Sequence, residues 1–169
     1  MHGIGEKIVY GGAALMEIID VREESFSDIP RKYYVLRELS SSAKSQTFIP
    51  VDNEKLTALM YPVISKNEAE ALLSRVSSIQ CLEWHHDNRI RAEKFREIIE
   101  SGNREEIIAL IKTVHEKSRL NKKEGKKNSL SDEKALKKAE NLLYSELAEV
   151  LGITEAEAAD ALMRILSGE

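Results

Sequence analysis

The chain of 169 residues has one cysteine (Cys81), three prolines and one tryptophan, and only 5% of it is aromatic. A lone cysteine excludes a disulfide framework and a thiolate metal cage, and it predicts a reducing cytoplasm. No apolar run approaches the roughly 20 residues that span a bilayer, so no membrane segment is expected. The first residues, Met1-His2-Gly3-Ile4-Gly5-Glu6-Lys7, lack the apolar core of a secretory leader. Glycine-rich phosphate loops are missing as well. Gly3-Ile4-Gly5 and Gly11-Gly12 lack the strand–turn–helix setting that a dinucleotide site requires. There is no nucleophile elbow. His85-His86-Asp87 is the one metal-like group, but neighbouring side chains on a helix diverge by about 100°, which suits a single ion poorly. No metal and no cofactor are expected, and no constellation supports an enzyme.

Charge is plentiful: 25 basic against 29 acidic side chains, a net −4. That balance alone argues against a nucleic-acid partner. Its distribution argues otherwise. Residues 112–138 hold ten Lys/Arg against four Asp/Glu, and residues 139–169 hold one against seven. A basic stretch in an acidic protein marks a possible anion-binding face. For Lys122-Lys123-Glu124-Gly125-Lys126-Lys127 alone, a solvated loop is the plainer reading. With 42% hydrophobic residues there is material for a core.

The first 60 residues read as short strands. Lys7-Ile8-Val9-Tyr10 stops at Gly11-Gly12, a turn signal, and Ala13 to Val21 resumes. Tyr33 to Leu39 is rich in aromatic and β-branched residues. Ser40 to Ser45 is a polar loop. Gln46 to Val51 is the next strand, with Pro50 forcing an edge or an end. Strands at this spacing predict a small antiparallel barrel. About 60 residues make a marginal core, so the barrel is expected to lean on the helical remainder of the chain.

From Ser65 the pattern becomes helical. Ser65-Lys66-Asn67-Glu68 is a capping box before the apolar face of Ala69, Leu72, Leu73 and Val76. Asn88 to Ser101 carries Ile90, Phe95, Ile98 and Ile99, and Gly102 stops it. Asn103 caps the next helix, with Ile107, Ile108, Leu110, Ile111 and Val114 on one face. Ser131 is expected to open a long helix that ends at Gly152, and Thr154-Glu155-Ala156-Glu157 opens a last one. The fold class is therefore α+β in two domains: a small antiparallel β-barrel over residues 1–62, then an all-α bundle of about five helices over residues 63–169.

Trp84 lies where the two patterns meet, in Glu83-Trp84-His85-His86-Asp87. Two readings stand. It is a helix-start residue folded back to cap the helical core, or it is an exposed wedge or stacking platform.

The ordered set of motifs resembles the CarD/CdnL family of bacterial transcription regulators. It comprises Val9-Tyr10-Gly11, Tyr33-Tyr34-Val35-Leu36-Arg37, Pro50-Val51-Asp52-Asn53, Val63 to Glu70, Trp84, Glu100 to Glu106, Ile111-Lys112-Thr113, Ser131-Asp132-Glu133-Lys134, Ala139 to Ala148 and Leu151-Gly152-Ile153. The resemblance spans nearly the whole chain. It implies a Tudor-like (SH3-like) barrel that binds the RNA polymerase β subunit, as in the transcription-repair coupling factor. It also implies a helical module that touches upstream promoter DNA without reading its sequence, and a tryptophan wedged at the edge of the melted region, matching Trp84.

By the same resemblance, Arg22 matches the first polymerase-facing arginine, and the second falls at Phe48, which is not basic. Basic DNA-facing positions match Lys112, Lys117 and Lys134, with Arg89 and Arg91 near the Trp84 helix. His85, His86 and Asp87 stand where other members are often more basic. A nucleoid-associated cytoplasmic protein is implied, as a monomer or a domain-swapped dimer. The other reading is a protein-binding adaptor without DNA contact.

Overall fold

The computed structural model describes residues 2–11, 14–39 and 45–168. Gly12, Ala13 and Ser40 to Lys44, which bear on the expected turn and polar loop, lie outside the described residues. Strands β1 (Lys7–Tyr10), β2 (Ala14–Glu24), β3 (Arg31–Glu38), β4 (Thr47–Pro50) and β5 (Met60–Pro62) form one antiparallel sheet in the order β4-β3-β2-β1-β5. Pro50 ends β4, an edge strand, where a missing amide costs no ladder bond. A short helix, α1 (Glu54–Thr57), not anticipated from the pattern, links the two edge strands.

The sheet is curled around its own interior. Ile8, Met16, Ile18, Tyr34, Leu36, Ile49 and Met60 form one buried cluster, so all five strands, both edges included, contribute to it. Ile8, Ile18 and Leu36 are fully buried, each removal from water worth about 1.5–3 kcal/mol. On the opposite face of the sheet, paired Val9 and Leu15 join the helical core instead. Strand alternation thus supplies two cores from one sheet.

A register shift between Ile18 and Asp20 breaks that alternation in β2. Ile18 pairs with Leu36, and after the shift Asp20 pairs with Val35 and Arg22 with Tyr33. A one-residue slip exchanges the two faces of a strand. Val21 therefore packs into the interior cluster, and Arg22 is turned outward.

The helices are α2 (Lys66–Arg75), followed by a 3₁₀ turn (Val76–Ser78), then α3 (Asn88–Ser101), α4 (Arg104–Lys123), α5 (Leu130–Leu151) and α6 (Glu155–Ser167). The capping box at Ser65 and Glu68 forms in both directions. Gly102 and Gly152 sit at positive φ and end α3 and α5, as expected. Two expectations shift. α5 begins at Leu130 behind Ser129, and Ser131 falls inside the helix, its hydroxyl 2.9 Å from that of Ser129. Trp84 precedes α3 by several residues, because Asp87 is its N-cap and accepts from the amides of Arg89 and Ile90.

Sheet and helices meet at a largely buried charged joint, apart from the more exposed Lys7–Glu149 pair between β1 and α5. Arg104, at the start of α4, donates from Nε to Glu146 Oε1 at 2.9 Å and from Nη2 to Glu146 Oε2. It also donates to the carbonyls of Gly102 and Pro62, and its guanidinium lies 4.9 Å from the Tyr61 ring centre. Glu146, itself buried, accepts from the Ile64 amide at 3.2 Å. Burial opposes the charge on Arg104, but its hydrogen bond and ion pair with Glu146 outweigh that and raise its pKa. Two glycines allow the close fit. A Cβ at Gly11 would lie 2.7 Å from the Glu100 carbonyl oxygen, and one at Gly102 would lie 2.8 Å from the Tyr61 ring.

Tyr61 carries a buried hydroxyl with no hydrogen-bond partner among the described residues, and burial pushes its pKa up to about 12. Replacing it with Phe removes an unsatisfied polar group, so Tyr61→Phe should stabilise by about 1 kcal/mol in thermal melts at pH 7. Because the folded pKa lies above the unfolded value, wild-type stability from this group is intact below pH ~10 and lost as pH rises towards 12. The advantage of the Phe variant should therefore widen across that window. A constant difference would place the hydroxyl in water. Gly11→Ala should act oppositely, lowering stability by more than about 1 kcal/mol, since backbone cannot retreat from the added methyl.

Candidate functional site around Trp84

The segment from Ile79 to Asp87 has neither helix nor strand, and the helices around it tie it down. α4 supplies two ties. The Leu82 amide donates to Thr113 Oγ1 at 2.8 Å, and that hydroxyl donates to the Ala109 carbonyl. Lys112 Nζ donates to the Val76 carbonyl at 3.1 Å and to that of Ile79. α3 supplies a third, from Arg91 Nη1 to the His85 carbonyl at 2.6 Å.

On this segment Trp84 is half-buried, packed against the helical core from its margin. It is neither the fully sunk cap nor the free-standing wedge. Two cations lie on its ring: the Arg91 guanidinium carbon at 4.2 Å from the ring centre and Lys117 Nζ at 5.2 Å. Such contacts are worth about 0.5–2 kcal/mol, most where water is excluded. Arg91 is only 3% exposed. It forms a bidentate pair with Asp132, at 2.7 and 2.9 Å, and its Nη2 also reaches Asn88. Lys117 is half-buried and has no ion pair among the described residues.

The expected DNA-facing cations therefore divide. Arg91 and Lys112 spend most of their donors on partners within the chain, Arg91 on Asp132, Asn88 and the His85 carbonyl, and Lys112 on the carbonyls of Val76 and Ile79. A charged group that satisfies buried acceptors leaves few donors for an outside anion. Lys117 stays available beside Trp84. Arg89 is exposed, on a shallow groove shared with Asp87, Glu93, Lys94 and Glu97. Lys134 is exposed at a cleft of about 280 Å³ between α3 and α5, with Arg96 and Lys138 on the same rim. The lysine-rich turn after α4 is not loose. Asn121 donates to Asn128 at 3.1 Å, Asn128 donates to Ser118 at 2.8 Å, and the Lys126 amide bonds the Asn121 carbonyl.

At the far end of the sheet the two expected polymerase-facing residues come together. The Arg22 guanidinium lies 5.5 Å from the Phe48 ring centre. It pairs with Asp20 and Glu24, whose hydrogen bonds raise its pKa. Sequence reasoning missed Phe26, which packs edge-on against both Phe48 and Tyr33 at centroid distances of 4.9 and 5.2 Å. It is 62% exposed, and nearby Ile29 is 71% exposed. No periodicity flags an aromatic inside Glu24-Ser25-Phe26-Ser27-Asp28. Asp132 was missed for a similar reason: a carboxylate in the first turn of a helix reads as a dipole partner. Among the described residues no group of three His, Cys, Asp or Glu could hold a metal ion, and no helix is long and apolar enough to cross a membrane.

Lys112→Ala should destabilise the chain by about 1–3 kcal/mol, because two carbonyls lose a charged donor. Denaturant titration checks this, and a change within about 0.5 kcal/mol would make Lys112 an ordinary surface lysine.

Residues 77–163, just over half of the chain, match the family described as CarD, C-terminal domain. The matched stretch holds Trp84, the two cations over its ring, and α3, α4 and α5 entire. A comparison with curated proteins returns no match. With the sheet domain ahead of it, the matched region shows that the chain belongs to the CarD/CdnL family, a family of transcription regulators.

Proposed function

We propose that this chain is a non-enzymatic regulator that docks on the RNA polymerase β subunit through residues 1–62 and stabilises the open promoter complex through residues 63–169. The observation that carries this reading is Trp84: a lone indole at the margin of the helical core, held on a buried cation with a second, freer cation beside it. A wedge that fills the gap at an unstacked base step favours the strand-separated state over the duplex. Base–aromatic stacking is worth about 1–3 kcal/mol, and about 1.4 kcal/mol already shifts the opening equilibrium tenfold. Lys117, Arg89 and Lys134 add phosphate contacts that carry no sequence information. Delivery by polymerase raises the local concentration, so intrinsic DNA affinity need not be high.

The sheet face around Arg22 suits docking. Phe26 and Phe48 offer exposed aromatic area next to a cation, the composition of interface hot spots. The adaptor reading has one observation in its favour: two of the basic positions, Arg91 and Lys112, bond to partners within the chain.

Trp84→Ala in the full chain should shorten the lifetime of open promoter complexes by at least about fivefold, the loss of roughly 1 kcal/mol of stacking. Affinity for the β subunit should be unchanged. The stability cost should be about 2 kcal/mol, below the 3–5 kcal/mol of a fully buried Trp, so decay is measured where the variant is folded. An unchanged lifetime would favour the adaptor.

Lys117→Ala should lower the log–log salt slope of DNA association by about 0.9, the share of one phosphate. On the sheet, Phe26→Ser should weaken β-subunit binding about tenfold, near 1.4 kcal/mol, with the fold retained and at most about 1 kcal/mol lost from its edge-on contacts with Phe48 and Tyr33. Full affinity in that titration would remove the aromatic face from the interface.

A further inference from the structure

We propose that the buried Arg91–Asp132 ion pair is the mount that sets the Trp84 ring, making both of them positioning residues; this rests on the wedge reading above. Trp84 belongs to a segment without helix or strand. Left to itself, an indole there would sample several rotamers and would have to be ordered each time it met DNA. Ordering a side chain in advance removes that cost from binding.

The geometry provides such ordering. Arg91 and Asp132 are 3% and 5% exposed. Both oxygens of Asp132 accept from Arg91, fixing the plane of the guanidinium. Its Nη1 holds the carbonyl of His85, the residue after Trp84, and its Nη2 holds Asn88 at the first turn of α3. The carbon of the same guanidinium lies over the Trp84 ring, 4.2 Å from its centre. One group thus fixes the ring and the adjoining backbone together. The pair also joins three elements: α3 through Arg91, α5 through Asp132 and the Trp84 segment through His85.

Core packing does not require this arrangement. A buried ion pair loses so much hydration that apolar residues of similar volume often serve stability as well or better. What a bidentate pair adds is direction, since a planar fork accepts only one orientation of its partner. Asp132 is in the first turn of α5, where a carboxylate also suits the helix dipole, but an exposed one would serve that purpose equally.

The test uses two conservative variants of the full chain. Arg91→Lys keeps a positive charge beside Asp132 but loses the fork and the flat face. Asp132→Asn keeps the shape and loses the charge. The chain has a single tryptophan, so near-UV circular dichroism in the tryptophan band and acrylamide quenching of fluorescence report on Trp84 alone. In each variant that band should weaken and quenching should rise, with helical ellipticity retained.

The second readout is open-complex decay, each variant measured with Trp84 present and in a Trp84→Ala background. Arg91→Lys should speed decay at least about fivefold with Trp84 present, and should add nothing in its absence, since the effect passes through the ring. Equal acceleration in both backgrounds would overturn the proposal and leave the pair a general stabiliser. Unchanged tryptophan signals in both variants would overturn it as well. If Trp84→Ala itself leaves decay unaltered, the wedge reading fails, and the spectroscopic result alone then judges the mount.

Discussion

The Arg104–Glu146 pair is the contact on which the arrangement of this molecule depends. It gathers the end of β5, the entry to α2, the turn before α4 and the C-terminal third of α5 around one buried carboxylate. Glu146 is 2% exposed, so without Arg104 it would be an uncompensated buried ion, a loss of about 3–5 kcal/mol. A sheet of some 60 residues has too little core of its own to be robust. Its outer face, through Val9 and Leu15, borrows the helical core, and the ion pair fixes the angle at which it does so. Gly11 and Gly102 matter for the same reason. Each permits an approach that any side chain would prevent.

A second theme is the division of cations between inside and outside. Counting lysines and arginines along residues 112–138 suggests a uniformly anion-seeking surface. Folding divides them. Lys112 ties a turn, while Lys117 and Lys134 remain accessible; outside that stretch, Arg91 pairs with Asp132 as the mount. The CarD/CdnL family match identifies a transcription regulator, and fewer of its cations are left without partners than the sequence suggests. The same economy holds at the sheet. The basic character expected there is moderated, since Arg22 is paired with two carboxylates, and exposed rings take its place.

Much of the fold was legible in the chain. Strand β1, the extent of α3, the start of α6, the capping box at Ser65 and the terminating glycines arise from local chemistry, which depends on residues only a few positions apart. The errors are local as well. Ser129 and Ser131 are equally good caps in isolation, and packing of α5 chose between them. The short α1 and β5 carry too few residues for any period to show.

The candidate site divides along the same line. By itself the sequence determined that Trp84 is the only indole, that it lies between a strand-rich and a helical half, and that cations abound in its second half. Only the tertiary structure decided which of those cations are available. Arg91 and Asp132 are 41 positions apart, and nothing in either neighbourhood announces the other. The slip between Ile18 and Asp20 is equally silent, because alternation alone would have turned Arg22 to the interior. Periodicity and capping act over a turn or a strand and are written in neighbouring residues. Burial, pairing and register are set by which surfaces meet, and that is fixed only when the whole chain has closed on itself.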